Sequence, residues 1–128
     1  MERVKRGDTV EVIAGRDAAE ARRAGKPLRG TVHRVIRAYK TDRAHRKVDR
    51  DPERDRVVVQ GVNLIIKHQR RTGDVRTQFG RIEREAAMHI SNVMLVCPSC
   101  KEATRVGFRT SVDGVKTRYC KRCDEAID

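Results

Sequence analysis

The sequence predicts a mainly β chain: a small barrel of short strands with long basic loops, followed by a hairpin set between two cysteine pairs. Short alternating apolar segments, TVEVI (9–13) and TVHRVI (31–36), recur between turn residues. The only aromatic residues of the 128 are Phe79, Phe108, Tyr39 and Tyr119, so the interior rests on Val, Ile and Leu. The hydrophobic fraction of 38% equals the charged fraction, and a core that small calls for an additional staple. All four cysteines lie after residue 96, in two pairs that offer one.

Val10 and Val12 mark the first strand. AGRDAAEARRAGKPLRG (14–30) then has the makings of a two-turn helix. Asp17 and Glu20 have capping-box spacing, Ala18 to Ala24 favours helix, and Gly25 and Pro27 end it. Such a helix is marginal in isolation, so Arg16, Arg22, Arg23, Lys26 and Arg29 are expected to order against an anionic partner; a merely solvated basic loop is the alternative. Val32 and Ile36 mark the second strand. Residues 38–56, AYKTDRAHRKVDRDPERDR, follow neither the strand nor the helix period and read as a long loop. Val57 to Val59 form a buried strand. Residues 67–85 read as a second polar excursion, with Gly73 and Gly80 as breakers and Val75, Phe79 and Ile82 as anchors. Val93 to Val96 form a further strand, after which the Asp113-Gly114 turn signal between TRVGFRT and VKTRY predicts a hairpin. The expected domains are a barrel over 1–96 and a tail over 97–128.

Thirty Lys and Arg against eighteen Asp and Glu give a formal net charge of +12 and a pI near 10.3, which favours a polyanionic partner. Nucleic acid leads. A membrane surface is disfavoured, because no apolar run approaches ~20 residues and no long basic amphipathic helix appears. Between residues 16 and 47 there are eleven Lys or Arg and three Asp or Glu, so binding is expected there. The start, MERVKRGDTVEV, is charged where a secretory signal is apolar, which predicts a cytoplasmic chain with reduced cysteines.

Cys97, Cys100, Cys120 and Cys123 give C-x2-C-x19-C-x2-C, the spacing of a zinc ribbon in which two knuckles are joined by a hairpin. Four thiolates fill a tetrahedral shell and leave no position for an activated water, so the expected Zn2+ is structural. The spacing also admits a rubredoxin-like iron site on the same sulfurs. A thioredoxin-like redox site needs a βαβ context that does not precede either pair. His33, His45, His68 and His89 lack metal-ligand spacing with one another, no GxxxxGK[ST] occurs, and the chain is not expected to be an enzyme.

VKRGDTVEVIAGRD (4–17), RGTVHRVI (29–36), VVVQGVNLIIKHQR (57–70) and MHISNVMLVCPSCKEATRVGF (88–108) together resemble the bacterial large-subunit ribosomal protein of the universal L-twenty-four family, from about residue 4 to the C-terminus. The first part, through Gly30, resembles the KOW motif. The resemblance implies an SH3-like KOW barrel that binds 23S-type rRNA near its 5′ end, supports early subunit assembly and lies beside the peptide exit tunnel among neighbouring ribosomal proteins. It implies no catalysis and no small-molecule substrate, and no homo-oligomer is expected. Carried over by position, Lys5, Arg6, Gly7, Asp8, Gly15, Arg16 and Gly30 match the KOW segment. Asn63, Lys67, His68 and Arg70 match the GVN-to-KHQR segment, with Arg71 beside them, and His89, Ser91 and Asn92 match the HISN segment; all are candidate RNA contacts.

Three departures stand out. AAEARRAGKPLR replaces the family's tight lysine-glycine connection, AYKTDRAHRKVDRD is an extension, and Arg71 and Ala87 stand where the family often has proline. The tetracysteine tail occurs in many members but not all, so zinc rests on the spacing. A transcription-associated KOW and zinc-ribbon factor is the alternative function. The scarcity of aromatics argues against binding by a base-stacking platform.

Overall fold

In the computed structural model residues 2–69 and 80–127 are described. The first strand, β1 (Thr9–Val12), is central to a six-stranded antiparallel sheet. It pairs on one side with β2 (Arg29–Ile36) and on the other with β9 (Val93–Val96). β5 (Arg56–Val59) and then β8 (Met88–His89) extend the sheet beyond β2, and β10 (Ala103–Thr104) closes the far side against β9. Alternation sends Val10, Val12, Val32, Val57, Val59, Val93 and Leu95 inward, where Val4, Val62, Met88 and Ala18 complete one apolar cluster. The mainly β architecture and the β-branched interior are those the alternating segments predict.

The helix predicted after β1 forms as α1 (Arg16–Arg23), but the capping box does not. Gly15 is its N-cap, at φ 105°, and no side chain caps it. The Asp17 carboxylate instead accepts the Asn63 amide N–H at 2.7 Å, so the expected local cap is a long-range tie to the turn after β5. Ala18 faces the core, while the arginines face out.

Both expected loops also contain strands. Within 38–56, β3 (Tyr39–Thr41) pairs with β4 (Lys47–Arg50) as an outlying ribbon, followed by a 3₁₀ turn at Pro52–Arg54. β6 (Leu64–Gln69) runs into the second excursion and pairs with β7 (Gly80–Glu85) within it. Val75, Phe79 and Gly73 lie outside the described residues; Ile82 is half-buried. Residues 39–49 are all exposed, so no packed face imposes a clean period of two on the β3–β4 ribbon.

The tail contains the expected hairpin, β11 (Val106–Thr110) with β12 (Lys116–Cys120), turned at Gly114 with φ 80°. Val106 and Ile127 pack against the barrel's core cluster. Arg118 in β12 is 3% exposed. Its guanidinium donates to Asp8 Oδ2 at 2.6 Å, Asp8 Oδ1 at 3.2 Å and the Arg3 carbonyl at 3.0 Å. This latch joins the tail to the turn before β1. Among the described residues no helix is long and apolar enough to cross a membrane.

Candidate nucleic-acid interface and metal centre

β1 has candidate RNA-contact residues at both its ends. At its N-terminal end, Lys5 to Asp8 form a turn in which the Asp8 carboxylate accepts the Lys5 amide at 2.8 Å and Gly7 takes φ 89°. Gly7 N–H donates to the Val32 carbonyl at 2.9 Å, and Val32 N–H donates to the Asp8 carbonyl at 2.8 Å, so β2 fixes the turn. Arg6 and Gly7 are exposed. Asp8 is committed to the Lys5 amide and to Arg118, a structural use that its place in the motif did not disclose.

At the other end three separate segments converge. The Ile13 amide donates to the Asn92 carbonyl at 2.8 Å, Gly15 starts α1, and Asp17 holds the Asn63 amide. Asn63, at φ 57°, also donates its side-chain amide to the Ala86 carbonyl at 3.2 Å. His89 Nδ1 accepts the Ser91 amide at 3.2 Å and lies 2.8 Å from Ser91 Oγ, capping the short turn Ile90–Asn92. Arg16, Arg22, Arg23 and Lys26 stand exposed on α1 and the loop after it. Arg16 pairs with Asp17 at 3.6 Å, and Arg22 donates to the Ile13 carbonyl.

Arg29 is exposed, yet it reaches Glu11 at 3.4 Å and donates to the Lys101 carbonyl at 3.0 Å, bridging barrel and tail. Gly30 is required by the barrel itself, because a Cβ there would lie 2.6 Å from Val59 Cγ1. His68 is exposed on β6, as are Leu64, Ile65 and Ile66. Lys67 lies in β6, and Arg70 and Arg71 lie outside the described residues.

The four cysteines come together, with all four Sγ atoms within 4.8 Å of one another. Cys97 and Cys123 sulfurs are 3.6 Å apart, and Cys100 and Cys120 sulfurs 3.9 Å. Each pair sits on the same backbone device, repeated 23 positions later. Lys101 N–H donates to the Cys97 carbonyl at 2.8 Å and Asp124 N–H to the Cys120 carbonyl at 2.9 Å. Cys97 N–H donates to the Glu102 carbonyl at 3.0 Å and Cys120 N–H to the Glu125 carbonyl at 2.9 Å. Lys101 and Asp124 both take positive φ, 57° and 66°, to turn the chain past the second sulfur of each pair.

Amides of Ser99, Arg122 and Cys123 point at sulfur, at 3.4 to 3.5 Å. Burial pushes the Cys120 thiol up, but the Cys123 amide, the Thr104 hydroxyl and the Arg122 amide outweigh it and hold the thiol at about 6. The Glu125 amide lowers Cys123, yet burial and the three neighbouring sulfurs push it up to about 12. Crowded sulfurs of this kind oppose one another's ionisation, and a bound cation relieves the opposition. The cluster has the composition and closeness to hold a metal ion.

Sequence reasoning missed Arg118, and nothing in KTRYC marks this arginine as a buried one. It also missed Asp55, which is 3% exposed and binds Arg50 through both carboxylate oxygens at 2.5 Å.

The family profile described as Large ribosomal subunit protein uL24, C-terminal domain, matches residues 62–127. The chain is 46% identical over 127 residues to the large ribosomal subunit protein uL24 of Fervidobacterium nodosum, covering 99% of this chain and 96% of that protein. It is 46% identical to that of Halothermothrix orenii, covering 98% of each. It is 44% identical to that of Thermotoga maritima, covering 98% of this chain and 97% of the relative.

Proposed function

The chain belongs to the uL24 family of large-subunit ribosomal proteins, and on that premise we propose that it is a structural constituent of the cytoplasmic large ribosomal subunit that binds 23S-type rRNA directly. Membership in this family favours the ribosomal reading over a transcription factor and over a thiol enzyme. The observation that carries RNA binding is the convergence of Gly15–Asp17, Asn63 and Asn92 at one end of β1, beside exposed arginines of α1.

Backbone there is fixed by internal hydrogen bonds, so cations are presented with little ordering left to do when RNA arrives. Lys and Arg contacts to phosphate set position and affinity, while the shape of folded RNA and its 2′-hydroxyls give selectivity. Arg6, at the opposite end of β1, supplies a second contact zone. The resemblance to the family adds the finer assignments: a site near the 5′ end of the rRNA, action early in assembly, and a place beside the exit tunnel in contact with neighbouring proteins.

The tail is read as a zinc ribbon held by Cys97, Cys100, Cys120 and Cys123. Sulfurs about 2.3 Å from a tetrahedral zinc lie about 3.8 Å from one another, and here the Cys97–Cys123 and Cys100–Cys120 sulfurs are 3.6 and 3.9 Å apart. Zinc supplies a structural cross-link, worth of order 10 to 16 kcal/mol in small finger peptides. Cys120 sits one strand position beyond Tyr119 and two beyond Arg118, so the cross-link steadies the strand carrying the latch.

The test is affinity for a fragment from the 5′ part of large-subunit rRNA, against unrelated structured RNA and duplex DNA, across a salt series. A preference for the rRNA fragment kept at about 200 mM salt, where non-specific contacts weaken, is the expected result. Equal affinity for all three would overturn the proposal.

A further inference from the structure

The β3–β4 ribbon, residues 39–50, belongs to none of the segments that carry the family resemblance, and its construction is that of a rigid arm. Its root is locked. Arg50 holds both oxygens of the buried Asp55 at 2.5 Å and donates to the Ala38 carbonyl at 3.0 Å, while the Ala38 amide donates to Asp55 Oδ1 at 2.9 Å. The Asp51 amide adds a bond to the Ala38 carbonyl at 3.0 Å. Its tip is locked as well. Asp42 Oδ1 accepts the amides of Ala44 and Arg46 at 2.9 Å each, the Asp42 amide donates to the Arg46 carbonyl at 3.0 Å, and His45 takes φ 59°.

Between root and tip every residue from Tyr39 to Asp49 is exposed. The ribbon has no continuous apolar face: Tyr39 and Val48 are its only large apolar residues, and the Tyr39 ring is covered by Lys47 Nζ at 4.7 Å. A protein partner would ask for an apolar centre. The ribbon instead offers five Lys or Arg against two Asp, a net +3, and the Asp42 carboxylate is already engaged by the turn. An isolated two-stranded ribbon is marginally stable in water, so the locked root and tip preserve a shape that the ribbon's own packing does not.

Arg43 lies about 16 Å beyond Ala38 at ~3.3 Å per residue, twice the screening length of about 8 Å at physiological salt. Cations that far out add little to the barrel's field and act only on phosphates they touch.

We propose that the β3–β4 ribbon is a separate RNA-binding arm whose Arg43, Arg46 and Lys47 grip phosphates of a segment distinct from the one held at the ends of β1. This rests on the rRNA-binding reading above and adds a second, independently removable contact to it.

The test uses the full metal-loaded chain and the same rRNA fragment, extended to include flanking helices, and compares wild type with the triple variant Arg43→Gln, Arg46→Gln, Lys47→Gln. Losing three phosphate contacts lowers the slope of log affinity against log salt by about 2 to 3. Backbone cleavage of the bound RNA should show one protected patch lost and the others kept. Protection of the His45 and Arg46 amides from exchange reports that the tip remains folded, and an Arg43→Lys, Arg46→Lys variant, which keeps the charge, should keep the wild-type slope. If wild type shows no preference for the rRNA fragment, the ribosomal reading itself fails. If wild type prefers it but the triple variant has an unchanged slope and footprint, or loses all patches together with its fold intact, the arm is refuted.

Discussion

Replacing Arg118 with Met tests whether the tail is part of the barrel's stability. Arg118→Met keeps most of the side-chain volume and removes the hydrogen bonds to both Asp8 carboxylate oxygens and to the Arg3 carbonyl. Breaking a buried ion pair by deleting one partner costs ~3 to 5 kcal/mol, because the remaining charge stays desolvated. Here the lower end applies: Arg118 is 3% exposed, but the Asp8 side chain is 16% exposed and keeps the Lys5 amide. The expected loss is therefore about 3 kcal/mol, or roughly 10 °C in melting temperature for a chain this size.

Urea unfolding of the metal-loaded protein measures it, with Asp8→Ala and the double variant completing a cycle. The coupling between the two residues should be of order 2 kcal/mol, and wild type should unfold in one transition seen equally from barrel and ribbon. A loss under about 1 kcal/mol, the range of a surface pair, or separate barrel and ribbon transitions in wild type, would refute the latch.

Gly30→Ala should destabilise the barrel by roughly 1 to 3 kcal/mol, since its Cβ would meet Val59 Cγ1 at 2.6 Å; a melting temperature equal to wild type with only RNA affinity reduced would contradict this structural role. Gly107→Ala should cost a similar amount, because its Cβ would lie 2.4 Å from the Tyr119 ring, whose partner Arg109 stacks 4.1 Å from the ring centroid; unchanged thermal unfolding would count against it. The Arg50 guanidinium holds the Asp55 carboxyl below its ordinary value, against the opposing effect of burial and with help from the Ala38 amide. A depressed carboxylate contributes stability above its unfolded pKa of ~3.9 that is lost as pH falls through the folded value. Protection factors of the amides in residues 39–50, with the intrinsic pH dependence of exchange divided out, should thus be flat from about pH 5 to 8 and fall below about 4, and a fall already at pH 6 would assign the root to another group. Chelating the metal should release protection at Lys5–Asp8 as well as in the knuckles, and loss confined to the knuckles would show that Arg118 transmits nothing.

How much of this was legible follows from the range over which each signal acts. The barrel strands are visible because Val10 and Val12, or Val57 and Val59, carry burial at a spacing the backbone dictates. The cysteine cluster is visible because two-residue gaps and a turn signal bring the sulfurs close locally, and the four sulfurs do meet. Strand periodicity does not show β3 and β4 because residues 39–49 are all exposed: the pair is held at its root by Asp55, which looks like any charged residue among DPERDR. The same applies to Asp17, whose capping-box spacing with Glu20 was a local coincidence and whose real partner, Asn63, is 46 residues away.

Motif matching marks a residue without saying whether the fold or the ligand requires it. Asp8 holds Arg118, Gly30 makes room for Val59, Asn63 ties two turns and His89 caps a third. Each of these makes a contact within the fold. Arg6, Arg16, Arg23 and Lys26 are exposed at or beside the same positions. Substitutions in the first group should therefore lower stability and RNA affinity together, whereas Arg→Gln or Lys→Gln in the second should lower affinity and the salt slope at constant melting temperature. If Arg23→Gln destabilised the fold, or Asn63→Ala weakened binding with its melting temperature unchanged, the division between shaping and contacting residues would be wrong.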